Sequence, residues 1–267
     1  LSVDGGRQTM TILFCDMKGF TSISEGLTPT CLVNLLNRYF TLISEAVHEN
    51  AGVIDKFIGD AVMAYWGKPF SKESDQARLA ISAVLAMKEK IAQLQVELPE
   101  LLGTRMNLPQ IVVRSGIATG DVVVGNLGSE KTKNFTVIGD TVNLASRLEG
   151  VNKIYDTTIL ITEDTLGMVA NDFEIREADT IVVPGKTEAK KIFEVLAHKG
   201  ELSADLAELL NHYAEGLAAY RAMNWQKARD AFNACLQINP ADGPSMALLQ
   251  RINDYERQPP AENWDGA

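Results

Sequence analysis

The sequence predicts an α+β fold, in which a ferredoxin-like βαββαβ core is followed by a small all-α C-terminal extension. Two observations predict it. Short β-prone apolar runs alternate with long segments of helical apolar spacing as far as residue 196, and from Ala204 onward only helical spacing remains. The expected domains are therefore residues 1–199 and a helical tail over residues 200–267. The last stretch of the tail, PPAENWDGA, looks exposed and poorly ordered.

The elements of the first domain follow from apolar periodicity and from turn and cap signals. In chain order they are a strand at 10–15, a helix at 28–50, strands at 53–58 and 61–66, a helix at 74–98, strands at 110–118, 121–126 and 134–138, a helix at 140–152, and strands at 158–161, 173–182 and 190–196. Thr28 and Pro29 supply a cap and a first-turn proline for the first helix. Two glycine-aspartate pairs, at Gly59 and at Gly120, predict the turns of two hairpins.

Composition limits the possible functions. A hydrophobic content of 46% and a charged content of 22% fit a globular protein, and the net charge of −10 argues against a nucleic-acid partner. The three cysteines have no CxxC spacing, which indicates a reducing, cytoplasmic location rather than a disulfide framework. No run of about 18 apolar residues occurs. The first residue is not methionine, so we expect a segment of a longer protein, with a possible membrane sensor domain upstream.

Two aspartates stand where predicted strands end. Asp16 follows the first strand and Asp60 lies at the tip of the 53–66 hairpin, and in a ferredoxin-like sheet these strands are neighbours. Paired carboxylates suit Mg²⁺, whose remaining ligands are often substrate phosphates. The loop MKGFTS after Asp16 offers backbone N–H groups that can cradle phosphates. Taken alone, each feature has an ordinary explanation, because glycine and aspartate are common turn residues.

Four motifs together resemble the catalytic domain of the class III nucleotidyl cyclases: FCDMKGFTSIS, VIDKFIGDAVMAYWG, VVRSGIATGDVVVGNLGS and NFTVIGDTVNLASRLEG. They cover about residues 8 to 198 in the family's order. The resemblance implies the class III cyclase fold, a homodimer with ATP or GTP bound at the subunit interface, and conversion of the nucleotide to a 3′,5′-cyclic monophosphate and pyrophosphate.

The resemblance also implies a role for individual residues. Asp16, Asp60 and the Met17 carbonyl would hold two divalent cations, Mg²⁺ or Mn²⁺; Gly19, Phe20, Thr21, Arg114 and Lys186 would contact phosphates; Lys56 and Thr136 would read the base; and Asn143 and Arg147 would act on the partner's nucleotide. In one departure, Pro184 occupies the position of the family's triphosphate-contacting lysine, and Lys186 follows two residues later. Independently of the family, Asn143 and Arg147 share a helix face because they are four residues apart.

The base-reading pair, Lys56 and Thr136, favours ATP. Lysine is an obligate donor, which suits the acceptor at adenine N1 and opposes guanine N1–H. The threonine hydroxyl can accept from the adenine amino group, but it discriminates less because a hydroxyl both donates and accepts. The predicted function is therefore that of an adenylate cyclase.

Three alternatives stay open at this point: a guanylate cyclase, a diguanylate-type cyclase, and a catalytically inactive regulatory subunit. The absence of a GG[DE]EF-like turn argues against the second, and the presence of all metal and Asn/Arg residues argues against the third. The tail resembles one tetratricopeptide hairpin, from the spacing of Gly216, Ala228, Phe232 and Pro240, and its pattern resembles bacterial receptor-type cyclases. Since one repeat cannot bury its own face, the tail must pack on the catalytic domain, a protein partner or missing sequence.

Overall fold

The computed structural model describes residues 5–169, 171–182, 189–260 and 264. The strands are β1 (Gly6–Met17), β2 (Val53–Ile58), β3 (Ala61–Trp66), β4 (Val113–Gly128), β5 (Lys133–Ile138), β6 (Ile159–Thr162), β7 (Phe173–Val182) and β8 (Ala189–His198). The helices are α1 (Phe20–Glu25), α2 (Pro29–Glu49), α3 (Gln76–Leu102), α4 (Asp140–Tyr155), α5 (Glu163–Gly167), α6 (Ala204–Arg221), α7 (Trp225–Ile238) and α8 (Gly243–Arg257).

The predicted ferredoxin-like core is confirmed. Strands pair in the order β2-β3-β1-β4, all antiparallel, and the sheet continues through β6, β8 and β7, while β5 pairs with β4 alone. The β4–β6 pair is parallel, so the complete sheet is mixed. Alternate β1 side chains point to opposite faces: Leu13 and Cys15 pack with α2 and α3, whereas Met10 and Ile12 join a second cluster that includes Ala145 of α4. Helices therefore cover both faces of the sheet.

The predicted turn at Gly120 is wrong. β4 runs without interruption through Gly120 and Asp121 and pairs with β1 from Gly6↔Val124 to Met17↔Val113. The glycine serves another purpose there, because a Cβ at this position would lie 2.7 Å from Oγ1 of Thr141 on α4. That hydroxyl donates to the Asp121 carbonyl at 3.0 Å, so close helix packing, rather than a chain reversal, requires a glycine.

Helix ends follow the sequence signals in part. The Thr28 hydroxyl accepts from the Cys31 N–H, as expected of the cap of α2. α3 extends beyond Pro99 because Leu98 and Leu102 continue its buried face. The short helices α1 and α5 were not predicted.

The C-terminal extension consists of three helices with their own apolar core. In α6, Gly216 lets the Phe232 ring of α7 approach, since a Cβ would lie 2.7 Å from it. The extension packs on the catalytic domain through buried charges: Arg176 of β7 donates to Asp242 at 2.7 Å. Trp264 departs from the predicted exposed end, because its ring lies 5.1 Å from that of Tyr220. Residues 261–263 and 265–267 lie outside the described part of the chain.

Among the described residues, none of the helices has both the length and the apolar character needed to cross a bilayer.

Candidate active site

A cleft of about 480 Å³ opens where β1 ends, and we call it the acid cleft. Its lining residues are Asp16, Met17, Lys18, Gly19, Phe20, Thr21, Asp60, Arg114 and Lys153. Seven of these nine come from the sequence prediction, which did not anticipate Lys18 and Lys153. The cleft thus combines two carboxylates with three cationic side chains at one end of the sheet.

Sheet register positions the acidic residues. Asp16 lies directly opposite Arg114 in the β1–β4 ladder, so the two side chains share a face of the sheet. Asp60 lies at the tip of the β2–β3 hairpin, after Gly59, whose φ of +63° favours glycine. The Met17 N–H donates to Asp60 Oδ2 at 3.0 Å, which ties the hairpin tip to the end of β1.

The acidic side chains of the cleft are partly buried and close to one another, which favours a bound cation. Burial raises the pKa of Asp60, and the charge of Asp16 adds to this effect against the hydrogen bond from Met17. Glu149 of α4 is part of the same acidic group: burial raises its pKa to about 8, and the neighbouring Asp16 carboxylate raises it further. The ammonium of Lys153 lowers both pKa values in part.

The donor set fits a hard divalent cation. Oδ1 of Asp16 is buried and has no hydrogen-bond partner among the described residues, which leaves a carboxylate oxygen free for a ligand. Among those same residues, no group of three or more His, Cys, Asp or Glu side chains is arranged to hold a metal. Any cation here would therefore need further oxygen ligands, of the kind that substrate phosphates, water and main-chain carbonyls supply.

Arg114 contributes a cationic side chain to the lining of the acid cleft. Its side chain is buried, and its Nε has no hydrogen-bond partner among the described residues. A buried guanidinium group with an unused donor is suited to an anionic ligand such as a phosphate. Gly19, the N-cap of α1, and Phe20 and Thr21, the first two residues of that helix, border the same cleft.

The predicted base-reading pair, Lys56 and Thr136, lies elsewhere. Thr136 is on β5 and Lys56 on β2, and a third residue joins them: Asp55 Oδ2 accepts from Thr136 Oγ1 at 3.0 Å and lies 3.2 Å from Lys56 Nζ. Neither reader lines the acid cleft. Arg114 is near the start of β4, whereas Thr136 pairs with Gly125 near the far end of that strand.

Asn143 and Arg147 lie on α4, away from the acid cleft of their own chain. Glu149 and Lys153 approach the cleft, and the face formed by Asn143 and Arg147 is turned about 120° around the helix from it. Arg147 instead lines a separate cavity with Tyr155 and Arg251.

The remaining predicted residue, Lys186, lies outside the described residues, as does Pro184. Four contributors were missed by the sequence reasoning: Lys18, Glu149, Lys153 and Asp55. Glu149 has a detectable signal, because it lies within the predicted helix, whereas Lys153 lies one residue beyond the predicted end and joins the same face only because α4 continues to Tyr155. For Asp55, the only signal in the sequence is its position next to Lys56.

The fold and the cleft together define a class of α+β domain in which carboxylates, an arginine and lysines meet at the end of a central strand. The sequence profile of the family described as "Adenylate and Guanylate cyclase catalytic domain" matches residues 4–196. The chain belongs to this family, the class III cyclase catalytic domains.

Relatives of both substrate types are found. An adenylate cyclase of Anabaena cylindrica is 39% identical over 191 residues, which are 70% of this chain and 37% of that protein. The adenylyl cyclase CyaB from P. aeruginosa has a TM-score of 0.67 and 32% identity, covering 75% of this chain and 100% of that structure. The guanylyl cyclase Cya2 has a TM-score of 0.65, also at 32% identity, covering 75% and 98%. The chain spans well under half the length of the curated relatives it matches.

Proposed function

We propose that this chain is an adenylate cyclase that converts ATP to 3′,5′-cyclic AMP and pyrophosphate at a homodimer interface. The observation that carries the proposal is the separation of two groups within one chain: the acid cleft with Arg114, and the base-reading pair held on Asp55. Family membership supports cyclase chemistry, and adenylate cyclases of other organisms are among the relatives.

The separation of the groups favours a site shared by two copies. Neither Lys56 nor Thr136 lines the acid cleft, so a nucleotide whose phosphates occupy that cleft meets no base reader among the cleft's own lining residues. A second copy in a two-fold arrangement supplies these readers, together with Asn143 and Arg147, and creates two equivalent sites. Large apolar side chains next to the readers support such an interface, since Phe57 and Ile138 are 47% and 49% exposed.

In the proposed reaction, the ribose 3′ oxygen forms a bond to the α-phosphorus, the bond from that phosphorus to the β-phosphate oxygen breaks, and pyrophosphate leaves with both electrons. Asp16, Asp60 and the Met17 carbonyl would hold two Mg²⁺ or Mn²⁺ ions. When bound, these ions lower the pKa of the 3′-hydroxyl and neutralise phosphate charge. The hydroxyl proton passes to a water or to Asp16.

The cationic side chains act on the charge that moves. Arg114 offers its donors to the departing pyrophosphate, and Gly19, Phe20 and Thr21 border the phosphates. Asn143 of the second copy orients the ribose. Arg147 of that copy meets charge developing at the α-phosphate, as an arginine acting in trans does in other phosphoryl transfers. Lys186 is proposed as a further phosphate contact in place of the family's lysine at Pro184.

A guanylate cyclase is the alternative, because the chain is also similar to the guanylyl cyclase Cya2. Base selection distinguishes the two functions. Lys56 donates to adenine N1 and Thr136 accepts from the N6 amino group, a pattern opposite to the guanine edge.

We also propose a cytoplasmic location, an upstream sensor domain in the whole protein, and a tetratricopeptide-like role for the tail in binding a protein partner.

Complementation between two inactive variants tests the shared site. Asp60→Ala and Arg147→Ala should each abolish cyclic AMP formation from ATP and Mg²⁺ or Mn²⁺. Random mixing gives heterodimers for half of the molecules, each with one intact site of two, so the mixture should recover about a quarter of wild-type activity. Glu256→Ala, in the tail, is the control variant and should be active without being mixed with a second variant. Full activity of either variant alone would contradict its assignment, and a mixture as inactive as its parts would contradict the interface site.

A further inference from the structure

We propose that Asp55 is a positioning residue that makes Thr136 an obligate hydrogen-bond acceptor and thereby selects adenine over guanine. The inference rests on the proposed function, because it assigns Thr136 to the base. It adds a residue that does not itself contact the nucleotide, and it resolves the ambiguity of a hydroxyl that could otherwise donate or accept.

A β-bulge places Asp55. The β2–β3 ladder pairs Ile54 with Ala64 and Lys56 with Met63, so Asp55 is the extra residue without a partner on β3. Bulges change the direction of a side chain relative to the regular pleat. Here the Asp55 side chain is 1% exposed and reaches Thr136 on β5, a strand that is not hydrogen-bonded to β2.

The charge of Asp55 fixes the direction of the hydrogen bond. Its Oδ2 lies 3.2 Å from the Lys56 ammonium and 3.0 Å from Thr136 Oγ1. An ionised carboxylate has no hydrogen to donate, so the only hydrogen of the Thr136 hydroxyl is used in this contact. The Thr136 oxygen can therefore only accept a hydrogen bond from a ligand.

The two readers then form a fixed donor–acceptor pattern. Lys56 presents only hydrogens, because an ammonium group has three donors and no acceptor. Thr136 presents only lone pairs. Adenine, with an acceptor at N1 and a donor at N6, matches both readers, whereas guanine, with a donor at N1 and an acceptor at O6, is mismatched at both. Specificity here includes repulsion of the wrong base as well as attraction of the right one.

A purely structural role for Asp55 is poorly supported by its surroundings. Its Oδ1 is buried with no hydrogen-bond partner among the described residues, which costs free energy without giving a contact in return. The nearby Tyr65 phenol has its pKa raised to about 12, by burial first and then by the negative charge of Asp55. A structural carboxylate would also influence ATP and GTP turnover equally, which gives the test.

The experiment compares kcat/KM for ATP and for GTP in wild type and Asp55→Asn. An asparagine amide can donate to the Thr136 oxygen, which frees the hydroxyl hydrogen for guanine O6. The ATP/GTP ratio should therefore fall by about fivefold to tenfold. The ratio does not depend on the fraction of folded enzyme, so partial misfolding cannot imitate the effect. Asp121→Asn is the matched control: Asp121 also accepts from a threonine hydroxyl, that of Thr9, at 3.0 Å on the same sheet, and its loss should leave the ratio unchanged.

A double-mutant cycle with Thr136→Val identifies the route. If Asp55 acts through Thr136, adding Asp55→Asn to Thr136→Val should change the ratio less than twofold. An equal fall in both backgrounds would mean that Asp55 acts through Lys56 and would overturn the inference, as would an unchanged ratio in Asp55→Asn alone. If Thr136→Val itself leaves the ratio unchanged, Thr136 does not read the base and the inference fails, while the proposed cyclase activity is unaffected. If wild type cyclises neither nucleotide, the proposed function fails, and the inference fails with it.

Discussion

Asp242→Ala should cost the protein about 4 kcal/mol of unfolding free energy, far more than a surface ion pair is worth. Asp242 performs two tasks with its two oxygens. Oδ1 accepts from buried Arg176 at 2.7 Å, and Oδ2 accepts from the Ser245 N–H at the start of α8. The Arg176 and Asp242 side chains are only 7% and 4% exposed, so water does not replace either contact.

The magnitude follows from these two losses. Removing an N-cap side chain costs about 1 kcal/mol. Breaking a buried ion pair costs about 3 to 5 kcal/mol, and the lower end applies because Glu194 still accepts from Arg176 Nε at 2.6 Å. Burial opposes the charge of Arg176, and its carboxylate partners, Asp242 among them, raise its pKa. A guanidinium group stays protonated in proteins, so Arg176 remains charged after the substitution.

Urea unfolding followed by circular dichroism measures the loss. The matched control is Glu256→Ala, which breaks the Arg229–Glu256 pair of the same tail; Glu256 is 46% exposed, and its loss should cost less than about 1 kcal/mol. If Asp242→Ala lost no more stability than this control, the buried charges would not be what holds the tail on the catalytic domain.

Two further predictions concern the site. In metal-free buffer, the free energy of unfolding of Glu149→Gln should rise relative to that of wild type between pH 5 and pH 8, by about 1 to 2 kcal/mol after solvent screening. The folded wild type keeps the Glu149 proton up to a pKa of about 8, whereas the unfolded chain releases it near 4.5. Wild-type stability therefore falls across that range, and the variant has no such proton to lose. Parallel urea midpoints for both proteins at every pH would contradict this. Lys56→Glu should lower the ATP/GTP ratio of kcat/KM by at least about tenfold, because the reader changes from donor to acceptor; the ratio is measured from initial rates with each nucleotide, and an unchanged value would remove Lys56 from base reading.

Much of the core could be predicted because its signals are local. The Thr28 cap, the apolar spacing of α2 and the Gly59 turn each depend on a few neighbouring residues, and all three occur as expected. The turn predicted at Gly120 failed because its sequence signal has two physical causes. A glycine followed by aspartate suits a tight turn, but it equally suits a strand against which the Thr141 side chain packs.

The candidate site was accessible to sequence reasoning where strand order alone brings residues together, as for Asp16 and Asp60. It was not accessible where long-range packing decides. The bulge that turns Asp55 toward Thr136 leaves no mark in the sequence of β2. The contribution of Lys153 likewise depends on how α4 is rotated on the sheet, which periodicity alone does not determine.

The buried attachment of the tail has an evolutionary consequence. Arg251 of α8 bonds to Asp179 of β7 and to the Tyr155 hydroxyl at the end of α4, the helix that also carries Asn143 and Arg147. Loss of the chain after His198 would remove Arg251 and leave Asp179 and the Tyr155 hydroxyl without this partner. Arg251 and Asp179 are therefore expected to change together in evolution, because loss of either leaves the other without its charged partner.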